Sequence, residues 1–427
     1  MYSILGVKGS GSLLTPFSSG MEMSMKRRGM AILSVGGRLG LYRPTPRRTI
    51  DPRVGLQTMA NQGSETGSKK MGGTKFWRGA VALLVLAVVA VSGSARAENF
   101  KMTAAAGHPP IFLWVKLLHE FYIPEINKRL AAGGKHTIAW TEAYGGTVAK
   151  IGGVLEAIEE GIVDIGFVGS IFEAPKLPLQ NVTYVSPFGT ADIGLVTKTI
   201  AGLQKSVPAM GASWGKYNQM MLTGAALDTY HIFTTFPIKS IDDLKGRKIL
   251  APGPSANWIK GTGAVAVAGN LKTYYNDIKT GVADGTLTFT TGAWGCKCFE
   301  VAPHITKVNF GSQFAGGLSI NKDVWASFPA DVKEIFLTVS AEYDVRFAKG
   351  QQAAADKLLG IMVKKGAKVA ELPAAERKRW AQAIPNIAKA WAAGLEKKGL
   401  PGKAVLKGYM QGLAKAGVKV PRDWSAE

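Results

Sequence analysis

Between Phe236 and Thr290 the chain alternates turn signals with short β-prone runs, and this stretch limits the possible folds more than any other. It opens Phe236-Pro237-Ile238-Lys239-Ser240-Ile241-Asp242-Asp243-Leu244-Lys245-Gly246. Ser240 suits the cap of a short helix, Asp243 stands three residues on as its reciprocal partner, and Gly246 supplies a left-handed stop. The β-prone run Lys248–Ala251 follows, and Pro252, with no N–H for a ladder, ends it at an open edge or pocket mouth. A helix is expected from about Asn257 to Ala268, and another over Tyr274–Thr280, capped by Thr273 and stopped by Gly281. Val282-Ala283-Asp284-Gly285 then turns into the strand Thr286–Thr290. Strand, helix and strand in this order make a crossover unit of an α/β sheet.

Upstream, Asn99–Ala106 reads as a first strand, alternating Phe100, Met102 and Ala104 before Gly107-His108-Pro109-Pro110. Ile111, Val115 and Leu118 give a helix over Phe112–Arg129 one apolar stripe. His136–Glu142 is a second strand and delivers the loop Ala143-Tyr144-Gly145-Gly146. Val148, Ile151, Leu155 and Ile158 recur at helical spacing until Gly161. Ile162–Val168 is then almost continuously apolar, as a strand covered on both faces is. Downstream, Trp325–Asp331 leads into a long helix with Val332, Ile335, Phe336, Val339 and Tyr343 on one face, and the pattern stays helical to Gly417. Alternating strands and helices followed by helices alone predict two α/β lobes with a helical C-terminal region.

The series Pro-Ile-x-Ser-x-Asp-Asp-Leu-Lys-Gly-x-Lys-Ile, followed by Tyr275 and Thr280-Gly281-Val282-Ala283-Asp284-Gly285, resembles the solute-binding proteins of TRAP transporters, in the dicarboxylate-binding (DctP-like) family. Leu155–Ile165, with its helix-Gly-x-x-Asp-strand form, Pro187-Phe188 and the His108-Pro109-Pro110 turn are similar to further family stretches, from Asn99 to Tyr343 in order. The resemblance implies a two-lobe periplasmic-binding-protein-like fold with discontinuous lobes, a long lobe-spanning helix and a hinge near Ala226–His231, the chain returning through Gly317–Lys322. Lobe I is expected over 98–228 plus 318–355, and lobe II over 229–317 plus 356–427. It further implies capture of a small-molecule solute for a TRAP membrane permease, with no cofactor and no metal, by a monomer or homodimer.

Ligands of such sheets bind at the carboxyl ends of strands. That rule selects His108, Phe112 and Trp114; Glu142 and Tyr144; Ser170; Ser255 and Asn257; and Thr288, Phe289 and Trp294, with Tyr230 beside the hinge. Aromatics mixed with a few hydroxyls suit a small organic molecule. Carboxylate-binding members of the family carry an arginine in a Lys-Ile-Arg-Val-Pro strand, where its planar fork grips two oxygens. This chain reads Lys248-Ile249-Leu250-Ala251-Pro252, so Leu250 stands at that position. Arg247, at an odd offset along the strand, faces the other way. A desolvated carboxylate without a cation is costly, so a neutral, aromatic or amine solute is expected ahead of a C4-dicarboxylate. Glu142 and Asp228 suit an amine, whereas a carboxylate would need His108, Lys272 or Lys297.

No Gly-x-Ser-x-Gly, phosphate-loop, His-Glu-x-x-His or Gly-x-Gly-x-x-Gly motif is present, and the five histidines are dispersed. No catalytic residue is therefore assigned. Two other readings stand beside transport: a secreted small-molecule sensor of the same fold, and a hydrolase or lyase using Glu142 and Asp228 as an acid/base pair, one with a raised pKa.

The basic segment 71–78, the thirteen-residue apolar run Gly79–Val91 and Ala95-Arg96-Ala97 form a signal peptide, cleaved before Glu98 into a periplasmic protein. The run falls short of the roughly 20 residues of a spanning helix. Residues 1–70 are expected to be an over-extended gene start or a disordered leader. Residues 1–97 hold 14 basic and 3 acidic residues and the remainder 38 and 27, so each part carries +11. The basic residues of the remainder form solvated helix faces without a nucleic-acid module, and no nucleic-acid partner is expected. Cys296 and Cys298 are one residue apart, and two buried free thiols are expected, because a ring across one residue is strained.

Overall fold

The computed structural model describes residues 97–426, and the leader and signal-peptide readings fall on positions outside it apart from Ala97. Two six-stranded sheets dominate. The first runs β2 (His136–Ala143), β1 (Glu98–Ala106), β3 (Ile165–Gly169), β11 (Phe314–Asn321) and β4 (Gln219–Met221), with β5 (Ala225–Ala226) also paired to β11. The second runs β12 (Lys368–Glu371), β10 (His304–Lys307), β6 (Tyr230–Thr234), β9 (Gly285–Phe289), β7 (Lys248–Leu250) and β8 (Val265–Val267). In the first, β1 lies parallel to β2 and β3, and β11 is antiparallel to β3. In the second, β7 is parallel to β8 and β9, while β6 is antiparallel to β9 and β10.

Burial follows position in each sheet. Edge strand β2 alternates buried and exposed residues in its first half, whereas the central strands β9 and β11 are buried throughout. That is the difference between a strand with one wet face and one covered on both.

The chain passes between the sheets at Leu227–Thr229, again at Val308–Gln313, and once more through the helix Ala330–Lys364. The two short crossings pair with each other: Leu227 N–H donates to Gln313 O (2.8 Å), Phe310 N–H to Tyr230 O (3.0 Å) and the Ser312 hydroxyl to Leu227 O (2.6 Å). The return therefore precedes Gly317–Lys322, most of which already lies within β11. At 1.5 Å per residue the 35-residue helix is about 52 Å long. Its buried residues Val332, Phe336, Val339 and Tyr343 join the main core, and Met362 joins the core of the second sheet.

Several local expectations are corrected. Asn257–Ala268 is not a helix: a 3₁₀ stretch covers Gly253–Ile259 and β8 follows, because Gly261 and Gly263 both hold positive φ and the β-branched Val265 and Val267 pair with β7. The C-terminal region contains one strand, β12, parallel to β10, whose four residues are all exposed and so show no alternation. The first helix is three pieces, with a π turn at Leu118–Tyr122 between Leu113–Leu117 and Ile123–Gly133. Cys296 and Cys298 are disulfide-bonded rather than free. Lys297 sits at φ 56, and this left-handed turn brings the two Cα atoms to 5.3 Å. Ser240 and Asp243 form the expected capping box, on a single 3₁₀ turn Ile241–Leu244.

Candidate functional site

Strand ends of both sheets converge on one narrow, partly open cleft. His108, Trp114, Phe167 and Phe172 line it from the first sheet's side; Tyr230, Tyr274, Thr288 and Phe289 line it from the second, and Tyr184 and Leu227 close it near the crossings. Its walls touch. Trp114 and Phe289 have ring centroids 6.2 Å apart across the cleft, and Lys272 Nζ donates to Gly145 O at 2.9 Å beside it. Gly253 is required by that approach, since a Cβ there would sit 2.5 Å from Ile171 O.

Aromatic geometry fixes the walls. Phe112 stacks on Trp114 at 4.8 Å and 15°, and both meet His108 edge-on at 5.4 and 5.3 Å. Opposite, Phe289 packs on Tyr230 at 5.0 Å, and Tyr230 on Trp258 at 5.4 Å. Such pairs each add about 0.5–1.5 kcal/mol beyond area burial. Polar groups are few and uncharged. His108 Nε2 and Trp114 Nε1 are buried without a protein hydrogen-bond partner. Burial, with Lys272 adding repulsion, lowers His108 to about 4, so its ring is neutral at pH 7. The Tyr184 and Tyr230 hydroxyls are 3.5 Å apart, and burial raises both phenols. Apart from His108, no lining residue bears an acid or a base of the Asp, Glu, Lys, Arg or His kind.

Of the residues selected from the sequence, the cleft gathers His108, Trp114, Tyr230, Thr288 and Phe289. The others stand off its lining. Phe112 lies behind Trp114, Leu250 is fully buried in the core of the second sheet, and Trp294 stacks on Phe299 at 5.5 Å. Ser255 and Asn257 donate to Pro252 O and Pro254 O within their own turn, and Ser170 donates to Phe314 O at 3.4 Å. Glu142 bonds His119 Nδ1 at 2.6 Å, and Tyr144 packs edge-on to that ring at 6.1 Å. Arg247 covers Phe236 at 4.2 Å and lies 3.9 Å from Asp284.

Lining residues absent from the sequence selection include Phe167, Phe172, Tyr184, Asn270, Leu271 and Tyr274. Phe167 lies on β3 itself, two residues before its end. Tyr184 and Tyr274 lie in helices, where no strand-end rule applies.

Asp228 and Glu142 do not meet as a catalytic pair. Asp228 accepts from the Thr291 hydroxyl (2.7 Å), Thr291 N–H (3.2 Å) and Gln351 Nε2 (2.9 Å), while Glu142 holds His119. Burial raises Asp228 to about 6 against those bonds. Its role is to tie the first crossing to the helix Thr290–Gly295 and to the long helix. Among the described residues no group of His, Cys, Asp and Glu is arranged to hold a metal.

Two α/β sheets joined by paired crossings and a long helix, with an aromatic cleft between them, make a periplasmic-binding-protein-like fold. A family model described as "Bacterial extracellular solute-binding protein, family 7" (DctP) matches residues 133–394, and the chain belongs to that family, the solute receptors of TRAP transporters. It is a binding protein and not an enzyme. The C4-dicarboxylate-binding periplasmic protein DctP of Rhodobacter capsulatus is 26% identical over 244 residues, 55% of this chain and 70% of that protein. The fold matches DctP7 of Bordetella pertussis, an extracytoplasmic receptor binding pyroglutamic acid, with TM-score 0.62, 19% identity and coverage of 72% of this chain and 99% of that one. It also matches a TRAP solute-binding protein of Rhodoferax ferrireducens in complex with benzoate, with TM-score 0.63, 16% identity and coverage of 74% and 98%. Among the described residues no helix is long and apolar enough to cross a membrane.

Proposed function

We propose that this chain captures a small, uncharged, largely aromatic solute outside the cytoplasm and presents it to a TRAP membrane permease. The observation that carries the reading is the lining itself: aromatic walls, neutral hydrogen-bonding groups, and neither guanidinium nor carboxylate. Leu250 is fully buried and is not on the lining, so the case against a dicarboxylate is the cation-free lining itself. An amine fares worse than an aromatic, since Glu142 and Asp228 are both committed elsewhere. Secretion would proceed through the signal peptide at 71–97. Closure would bring together lobe I (98–228 plus 318–355) and lobe II (229–317 plus 356–427).

A second reading is an aromatic monocarboxylate, the kind of ligand bound by the Rhodoferax ferrireducens receptor. Lys272 favours it, because its charge already reaches His108 and its neighbours Asn270 and Leu271 line the cleft. Thermal-shift screening separates the two, since a ligand that binds only the folded state raises the melting temperature. Neutral aromatics are expected to stabilise wild type and Lys272→Ala equally. Stabilisation by aromatic acids that vanishes in Lys272→Ala establishes the second reading, and stabilisation by succinate or malate alone overturns both.

A further inference from the structure

A second cavity lies away from the cleft and shares no lining residue with it. It is partly open to solvent and is bounded by the helix Ile193–Ser206, the segment Met221–Gly224, Phe314 of β11 and Asp344 of the long helix. Thr197, Ile200, Ala201, Gln204 and Lys205 present one face of the first helix to it, at the three- and four-residue spacing of a helix stripe.

Its polar groups include acceptors that no protein donor meets. One Asp344 oxygen accepts Gly224 N–H at 3.1 Å, and among the described residues no lysine, arginine or histidine pairs with the carboxylate. Burial raises Asp344 to about 7, the mark of a carboxylate held without a cation. Thr223, 2% exposed, has an unpartnered hydroxyl, and Gln204 Oε1 is equally unpartnered because its amide NH₂ is given to Gln180 at 2.6 Å. Buried polar atoms such as the Thr223 hydroxyl and Gln204 Oε1 ordinarily have partners. The remaining wall is apolar, and Gln204 and Met221 continue into an adjoining groove lined by Trp214, Met220 and Trp325.

We propose that this cavity is a second ligand site, taking a primary ammonium group carried on an apolar chain. The ammonium, with three donors and no acceptor, would bond the free Asp344 oxygen, Thr223 and Gln204 lie on the same lining, and the chain would lie along Ile200, Phe314 and Met221. Lys205 is exposed at the rim and repels the charge only weakly through water.

Calorimetry with n-hexylamine, hexanol and hexanoate, with methyl NMR of Met220 and Met221, tests the site. Hexylammonium is expected to bind, hexanol to bind more weakly and hexanoate not at all, with shifts at both methionines. Asp344→Asn, which keeps the shape and the Gly224 bond, weakens the amine by about ten-fold or more. Thr223→Val weakens it less, and Lys205→Ala leaves it equal or tighter. The proposal is overturned if hexylammonium does not saturate, if Asp344→Asn binds within about two-fold of wild type, if Lys205→Ala weakens binding, or if neither methionine methyl shifts.

Discussion

Thr288 is the one side-chain hydroxyl of threonine or serine on the cleft lining: it lies one residue before the end of a buried strand and neighbours the aromatic Phe289 and Tyr230. Thr288→Val keeps the volume and removes the hydroxyl, so solute affinity is expected to fall roughly five- to ten-fold, the size of one neutral hydrogen bond, with the melting temperature little changed. Calorimetry against the solute measures it. His108 contributes differently. Its folded pKa is about 4 against 6.5 unfolded, so the unfolded chain takes the proton first. The neutral ring's contribution is whole above pH 6.5 and is lost as pH falls toward 4. In His108→Gln, the loss of unfolding free energy between pH 7 and pH 5 should be smaller than in wild type by about 2 kcal/mol in urea titrations. That His108 and Thr288 line the cleft can be read from the sequence, because each lies at or just beyond a strand end. Leu250 was misplaced for a reason of parity: Ile249 joins the main core, so its neighbour points to the opposite face of the sheet.

Among the elements, the packing of the 3₁₀ stretch Gly253–Ile259 against its surroundings depends most on one side chain. Trp258 is fully buried, stacks on Phe310 at 5.1 Å and 26°, donates Nε1 to Tyr184 O at 2.6 Å, and its carbonyl accepts Trp380 Nε1 at 2.7 Å. Trp258→Ala is expected to cost about 3–5 kcal/mol in chemical denaturation, because both the area and the cavity count. The apolar strands β1 and β3 and the capped turn at Ser240 could be read from pattern and turn chemistry. The strands β8 and β12 could not. Each is three or four residues long, largely exposed, and held by backbone pairing to a neighbour distant in sequence, which no local pattern encodes. The Cys296–Cys298 bridge was likewise hidden, since it depends on Lys297 adopting a left-handed turn.

For the whole molecule the issue is how two sheets joined by paired crossings and one long helix enclose a solute. Gly253 meets Ile171 across the cleft, so Gly253→Val places a branched side chain where the walls touch. Backbone strain at φ 47 costs about 1–2 kcal/mol of stability, while solute-induced compaction in small-angle X-ray scattering should disappear. The alternation of strands and helices in the sequence points to an α/β fold, and the proposed solute chemistry rests on a cleft lining without a guanidinium or ammonium group. Native mass spectrometry of residues 98–427, purified from a bacterial periplasm with release of bound small molecules, tests that chemistry most directly. The account predicts an uncharged aromatic molecule at one per chain, displaced more readily from Thr288→Val. A co-purified C4-dicarboxylate would contradict it, because the cleft would then hold two negative charges with no cation on its lining.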